Sequence, residues 1–238
     1  KLKQLPSLGR IASVVGAATV KEAYEIAPMI SEGGTGIRVI NSGTIDPYQI
    51  LWGNKQFRYL GQSYLRPVIT NKATLPSKRL QQAQSSKIII AGMTKRLECC
   101  LDARGEYLAG KSTSLVLWEG ELKFLLALLN SKVVDFYYNT VYGGDKLQGG
   151  YLRIGPPQLK TIPIALADLN SKEDKKRHDA IVEKVDALLI SKQQEADASG
   201  NVRTIAERKS KALEQEVNKL VYQLYGLTEE EIALVEGQ

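Results

Sequence analysis

The spacing of apolar residues changes character near Ser171, and this change limits the architectures open to the chain. Downstream, Ile181, Val182, Val185, Leu188 and Leu189 recur at three- and four-residue intervals, the stripe that an α-helix turns toward a core. The segment ADASGN at 196–201 interrupts it, and a second stripe runs through Ile205, Leu213, Val217, Leu220, Val221 and Leu224. Two helices joined by a short polar connection pair antiparallel. Gly226 stands where a left-handed C-cap is favoured. Thr228 and Glu231 have capping-box spacing for a last helix over 229–235. The apolar content of this arm is too narrow to stand alone. It needs a covering surface on the preceding residues or on another subunit.

Upstream the apolar runs are short and β-branched. Ile37–Ile40, Lys87–Ala91 and 114–118 read as strands, and 97–101 and 106–108 as strands flanking a turn at 102–105. The polar stretch 70–86, with Asn71 and Pro76, reads as a loop or irregular helix. One strong helix is expected over 121–138, where Leu122, Leu125, Leu126, Leu129, Val133, Phe136 and Tyr137 share a face. Asn130 and Ser131 are weak helix formers and are placed on its solvent side. Residues 140–157 contain Gly143, Gly144, Gly149, Gly150 and Gly155, a loop whose backbone can come close to another molecule. Residues 158–164 return to an extended run in which Pro163 suits a strand end. The expected class is α+β: a mixed β-sheet domain over 1–170 and an antiparallel helical arm with a C-terminal helix over 171–238.

Charge is divided unevenly. Residues 1–170 carry 21 basic and 12 acidic side chains, a net of +9, and residues 171–238 carry 11 and 14, a net of −3. Between Pro47 and Leu97 there are nine Lys or Arg and no Asp or Glu. Tyr48, Trp52, Phe57, Tyr59 and Tyr64 lie among them. Such a window favours a polyanion, because carboxylates near its path weaken the local potential, and aromatics add stacking. The candidate phosphate contacts are Arg58, Arg66, Lys72, Lys78, Arg79, Lys95 and Arg96. In the glycine-rich loop, Lys146 suits a phosphate backbone. Gln148, Tyr151 and Arg153 are candidate base readers, since Gln and Arg pair bidentately with adenine and guanine edges.

Other chemistries find little support in the sequence. Cys99 and Cys100 are neighbours whose side chains would leave a strand on opposite faces, so a bridge between them would be strained. With one histidine, His178, a structural zinc site lacks ligands, and His178 is expected on an exposed helix face. No apolar run is long enough to span a bilayer, and the N-terminus has no signal-peptide succession. A cytoplasmic protein without disulfides is expected. Walker A, G-x-G-x-x-G and G-x-S-x-G motifs are missing. An E-x-K motif, Glu121 to Lys123, with Asp102 upstream, leaves open a Mg²⁺-dependent nuclease. Glu at a helix start is also what the helix dipole favours. A third alternative is a protein-interaction module using the arm at 172–225.

Several pieces, in order, resemble one family. They are IRVINSGTIDPYQILWG at 37–53, KIIIAGMTKRLECCLDARGEYLAG at 87–110, LKFLLALLNSKVVDFYY at 122–138, GGYLRIGPPQLKTIPI at 149–164 and LVYQLYGLTEEEIALVEG at 220–237. They resemble the TaqI-like C-terminal specificity domain of adenine-N6 DNA methyltransferases and fused type II restriction–methylation enzymes, and are similar to type I specificity subunits. The resemblance implies duplex DNA as partner, together with a methyltransferase or nuclease domain or subunit. The family's Asn-Pro-Pro-Tyr type motif has no counterpart; Gly155-Pro156-Pro157 is not one. The chain is therefore expected to be non-catalytic, with S-adenosylmethionine and Mg²⁺ confined to the catalytic part.

Overall fold

A computed structural model describes residues 1–237. The body is mixed α+β, with several small sheets followed by two long packed helices, Lys172–Asp197 and Gly200–Leu224. The central sheet is antiparallel, in the order Ser13–Gly16, Thr113–Leu117, Lys87–Ala91, Cys99–Asp102. Its strand Lys87–Ala91 is buried at every position. Ile88 and Ile90 face the helices, while Ile89 and Ala91 face Ile40, Ile45 and Leu115. A strand covered on both faces needs an unbroken apolar run rather than an alternating one. Cys99 and Cys100 likewise fall into different core clusters, both buried as free thiols.

The second sheet is mixed. Its order is Tyr107–Ala109, Ile37–Ile40, Pro67–Ile69, Ser31–Glu32, and only the first pair is parallel. The turn at 102–105 therefore does not close a hairpin. It carries the chain from one sheet to the other. The Asp102 carboxylate accepts the amides of Glu106 (3.0 Å) and Tyr107 (3.1 Å) and pairs with the Lys87 ammonium, which also donates to the carbonyls of Ala83 and Ser85. Lys87 is fully buried. Burial pushes its pKa down, opposed by the Asp102 carboxylate. The pair fastens both sheets and the short helix Ser77–Gln84, so that of the loop or irregular helix expected over 70–86 much is helical.

The expected helix over 121–138 is two helices, Leu122–Leu129 and Lys132–Tyr142. Asn130 is not a passive solvent-facing residue. Its amide donates to the Cys99 carbonyl (2.9 Å) and accepts the Cys99 amide (3.0 Å), satisfying the outer edge of a central-sheet strand. Ser131 is buried and caps the second helix through the Val134 amide. Ser and Asn favour caps over helix interiors because their side chains compete for backbone groups.

In Leu122–Leu129, residues 124–129 are all buried. A helix apolar all round must be covered all round. The sheet lies on one side and the arm on the other. Ile181, Val185, Leu188, Leu213, Val217 and Val221 join Phe124 and Leu128 in one core cluster. The covering surface the arm requires is thus supplied by the preceding residues. Gln49 and Asn54 extend the attachment by donating to the carbonyls of Lys192 (2.8 Å) and Ala196 (2.9 Å). At the arm's end Gly226 has φ +60, and the amides of Gly226 and Leu227 bond to the carbonyls of Gln223 and Tyr222, a Schellman motif. The Thr228–Glu231 capping box opens the last helix, Glu229–Glu236.

The extended run expected over 158–164 is only partly extended, because Pro156–Leu159 forms a short helix. Beyond it, the Leu8 amide bonds to the Ile162 carbonyl and the Ile164 amide to the Pro6 carbonyl, both at 2.8 Å, with Pro163 bridging Ser7.

Candidate nucleic-acid interface

Gly92 follows the buried strand Lys87–Ala91 and turns the chain outward. A Cβ there would lie 2.3 Å from the Ser112 carbonyl oxygen, so only glycine fits. Its amide donates to that oxygen (2.8 Å) and to Ser42 Oγ (3.0 Å). Its own carbonyl accepts from the Ile154 amide (3.0 Å). Met93–Thr94 then pairs antiparallel with Leu152–Arg153. This two-stranded ribbon joins the acid-free window to the glycine-rich loop, which the sequence separates by some fifty residues.

The loop side of the ribbon is held by its own backbone. The Leu147 amide donates to the Tyr151 carbonyl (2.8 Å) and the Gly150 amide to the Leu147 carbonyl (3.0 Å). Gly149 and Gly150 have φ +85 and +79, the region where glycine alone is unstrained. From beneath, the buried Tyr138 hydroxyl donates to the Arg153 carbonyl (3.0 Å). Burial pushes the Tyr138 pKa up, which keeps that proton in place.

Six of the expected site residues gather here. Lys95, Arg96, Lys146, Gln148, Tyr151 and Arg153 are all exposed. The Lys95 ammonium stands 5.9 Å from the centre of the Tyr151 ring, within cation–π reach. Lys146 and Arg153 line one cleft with Tyr142, Leu147 and Gln158. Arg96 and Lys146 both act on Asp135, whose carboxyl is raised by burial, while the Leu97 amide and these two cations pull it down.

The other expected residues divide. Arg58 is exposed on the hairpin Phe57–Tyr59/Gln62–Tyr64 and lines a hollow with Lys111, Ser42 and Ser112. Ser42 and Ser112 are the residues that hold Gly92, so this hollow adjoins the root of the ribbon. Lys111 was invisible to the charge pattern because it lies outside the acid-free window. Arg66, Lys72 and Lys78 are exposed around the second sheet, with Arg66 beside Gly53. Arg79 is a correction. It is 4% exposed, and its guanidinium forks onto Glu22 (2.9 and 2.7 Å) and Gln82. Its charge is engaged inside the protein.

The residues of the nuclease alternative are engaged separately. Asp102 is buried against Lys87, Glu121 caps its helix by accepting the Lys123 amide, and Lys123 pairs with Asp186 at 2.7 Å. Among the described residues no cluster of His, Cys, Asp or Glu is arranged to hold a metal ion. His178 corrects the sequence expectation. It is not exposed but packs its ring 4.7 Å from that of Phe124. Among the described residues no helix is long and apolar enough to cross a membrane.

Fold and site together define a mixed α+β module with a helical pair on one side and a short ribbon flanked by exposed cations. The model of the TaqI-like C-terminal specificity domain matches residues 39–164, more than half of the 238-residue chain, and the chain belongs to that family. The match runs from the second sheet through the ribbon to the strand-like end at Ile164. Membership implies recognition of a DNA target in a restriction–modification system. No curated protein matches the chain.

Proposed function

We propose that the chain is a sequence-reading module for duplex DNA, and that the ribbon is its contact surface. One observation carries this reading: the two cationic segments, remote in sequence, are hydrogen-bonded into a single ribbon whose cations are exposed. Among the described residues Arg58, Lys95, Arg96 and Lys111 make no ion pair, so their charge is available to a phosphate backbone. Lys146 adds to the same field. Gln148 and Tyr151, on the loop at the ribbon's tip, and Arg153, on the ribbon strand itself, are the base-reading set, since phosphate contacts position and base contacts specify. Arg66, Lys72 and Lys78 contribute weaker, peripheral attraction.

Adenine-N6 methylation or cleavage belongs, on this reading, to another domain or subunit in the cytoplasm. S-adenosylmethionine and Mg²⁺ belong there too. The present chain supplies position and sequence choice. The test is selection from a randomised duplex pool, followed by binding of the selected duplex and of single-base variants. Arg153→Ala is expected to lower affinity by about 1–3 kcal/mol and to relax preference at one base pair. Equal weakening on every sequence would assign Arg153 to phosphate. An absence of any enriched sequence would contradict the proposal.

A further inference from the structure

The hairpin Phe57–Tyr59/Gln62–Tyr64 turns through two residues, Leu60 and Gly61, with φ +45 and +85. Positive φ at both centres is the signature of a tight hairpin turn in which Asn or Asp followed by Gly is favoured. Leucine at the first position is strained, because its Cβ crowds the backbone there. A strained residue persists where the surroundings enforce it. Here Phe57 and Tyr59 are buried and stacked (ring centres 5.4 Å apart), and Asn41 Nδ2 donates to the Arg58 carbonyl at 2.8 Å. The hairpin base is therefore rigid, while Leu60 at the tip is 39% exposed. Among the described residues Leu60 joins none of the three core clusters.

Its neighbours show what it faces. Leu60 lines the hollow with Arg58, Lys111, Ser42, Gly43 and Ser112, and Ser112 is itself at φ +68. Among the described residues no carboxylate lines this hollow. Ser42 and Ser112 bond the Gly92 amide, so the hollow adjoins the root of the ribbon. Proteins that deform DNA use this combination: cations on the phosphates and an apolar side chain pressed between base steps.

We infer that Leu60 is an apolar wedge that unstacks a base step of the bound duplex, with Arg58 and Lys111 holding the flanking phosphates. The inference rests on the duplex-binding reading above and adds a deformation of the DNA to it. A deforming wedge also lets the module select sequence at steps it does not hydrogen-bond, since pyrimidine–purine steps unstack most easily.

The test uses the full chain and the duplex it enriches from a randomised pool, with 2-aminopurine placed at each position in turn. Wild type is expected to raise the fluorescence at one step. Leu60→Asn, which suits the turn, is expected to bind the duplex but lose that rise, and to melt roughly 2–4 °C higher as the strain is relieved. Leu60→Met should keep the rise. Binding by Leu60→Asn with the rise intact, or binding by wild type with no rise at any step, overturns the wedge while leaving the ribbon reading in place. Failure of wild type to bind any duplex removes both.

Discussion

Two groups of cations from one stretch of sequence meet opposite fates. Arg79 and Lys87 turn inward, are almost completely buried, and pair with Glu22 and Asp102. Lys95 and Arg96, a few residues further on, lie exposed on the ribbon and make no ion pair among the described residues. Nothing in local composition separates them. The carboxylates that claim Arg79 and Lys87 come from outside the acid-free window, brought in by the helix Val20–Ile26 and the strand Cys99–Asp102. A window without acids is therefore not a region without acids. Its free charge is what remains after distant segments have folded onto it.

The largest effect expected from this contrast is on stability. Lys87→Met leaves Asp102 buried without its cation and is expected to cost about 3–5 kcal/mol. Urea unfolding measures it. Duplex affinity of the folded fraction should be unchanged. A Lys87→Met protein as stable as wild type, or one with normal stability but no DNA affinity, would erase the distinction between the two groups.

A second expectation concerns pH. The Thr19 amide, and after it the Arg79 guanidinium, hold Glu22 down to about 2 from an ordinary value of 4.5, against the opposing effect of its partial burial. A carboxyl lowered on folding contributes stability that is complete above its unfolded pKa and is lost as pH falls toward its folded one. The Glu22 contribution should thus disappear between about pH 4.5 and 2. Glu22→Gln keeps the capping geometry and should flatten that part of the stability profile. An unchanged acid limb would mean that the Thr19 and Arg79 contacts of the Glu22 carboxylate contribute no stability. The smallest effect is expected at the ribbon's margin: Lys146→Gln should reduce the magnitude of the salt slope for duplex binding by about 0.9, with no change in melting temperature.

Much of the architecture is legible in the sequence because it rests on periodicity. The arm stripes, the Thr228–Glu231 box, the Gly226 cap and the β-branched strands each follow from a local rule and reappear in the fold. The misses share a cause. Asn130 and Ser131 look like tolerable residues in one helix, and only the approach of Cys99 reveals why the helix stops there. His178 looks exposed in a hydrophilic run until Phe124 packs beneath it. The turn at 102–105 resembles a hairpin loop until its flanking strands are seen to enter different sheets.

The candidate site was half legible. Charge and glycine content pointed to both of its segments, but no local pattern says that Thr94 pairs with Leu152. Arg79 lies in the acid-free window yet is buried, and Lys111 lies outside it yet lines the hollow with Arg58, because sequence neighbourhood and spatial neighbourhood differ. Lys111 reaches the interface through the strand Thr113–Leu117 that follows it, not through any charge run of its own.

The central claim is that the exposed cations, and not the buried ones, hold a polyanion. The most direct measurement is the salt dependence of duplex affinity for wild type and for Lys95→Gln/Arg96→Gln/Lys146→Gln. Five phosphates neutralised by Arg58, Lys95, Arg96, Lys111 and Lys146 give a slope of log affinity on log salt of roughly −4.5, falling to roughly −1.8 in the triple variant. A flat wild-type dependence, or equal slopes for the two proteins, would contradict the account.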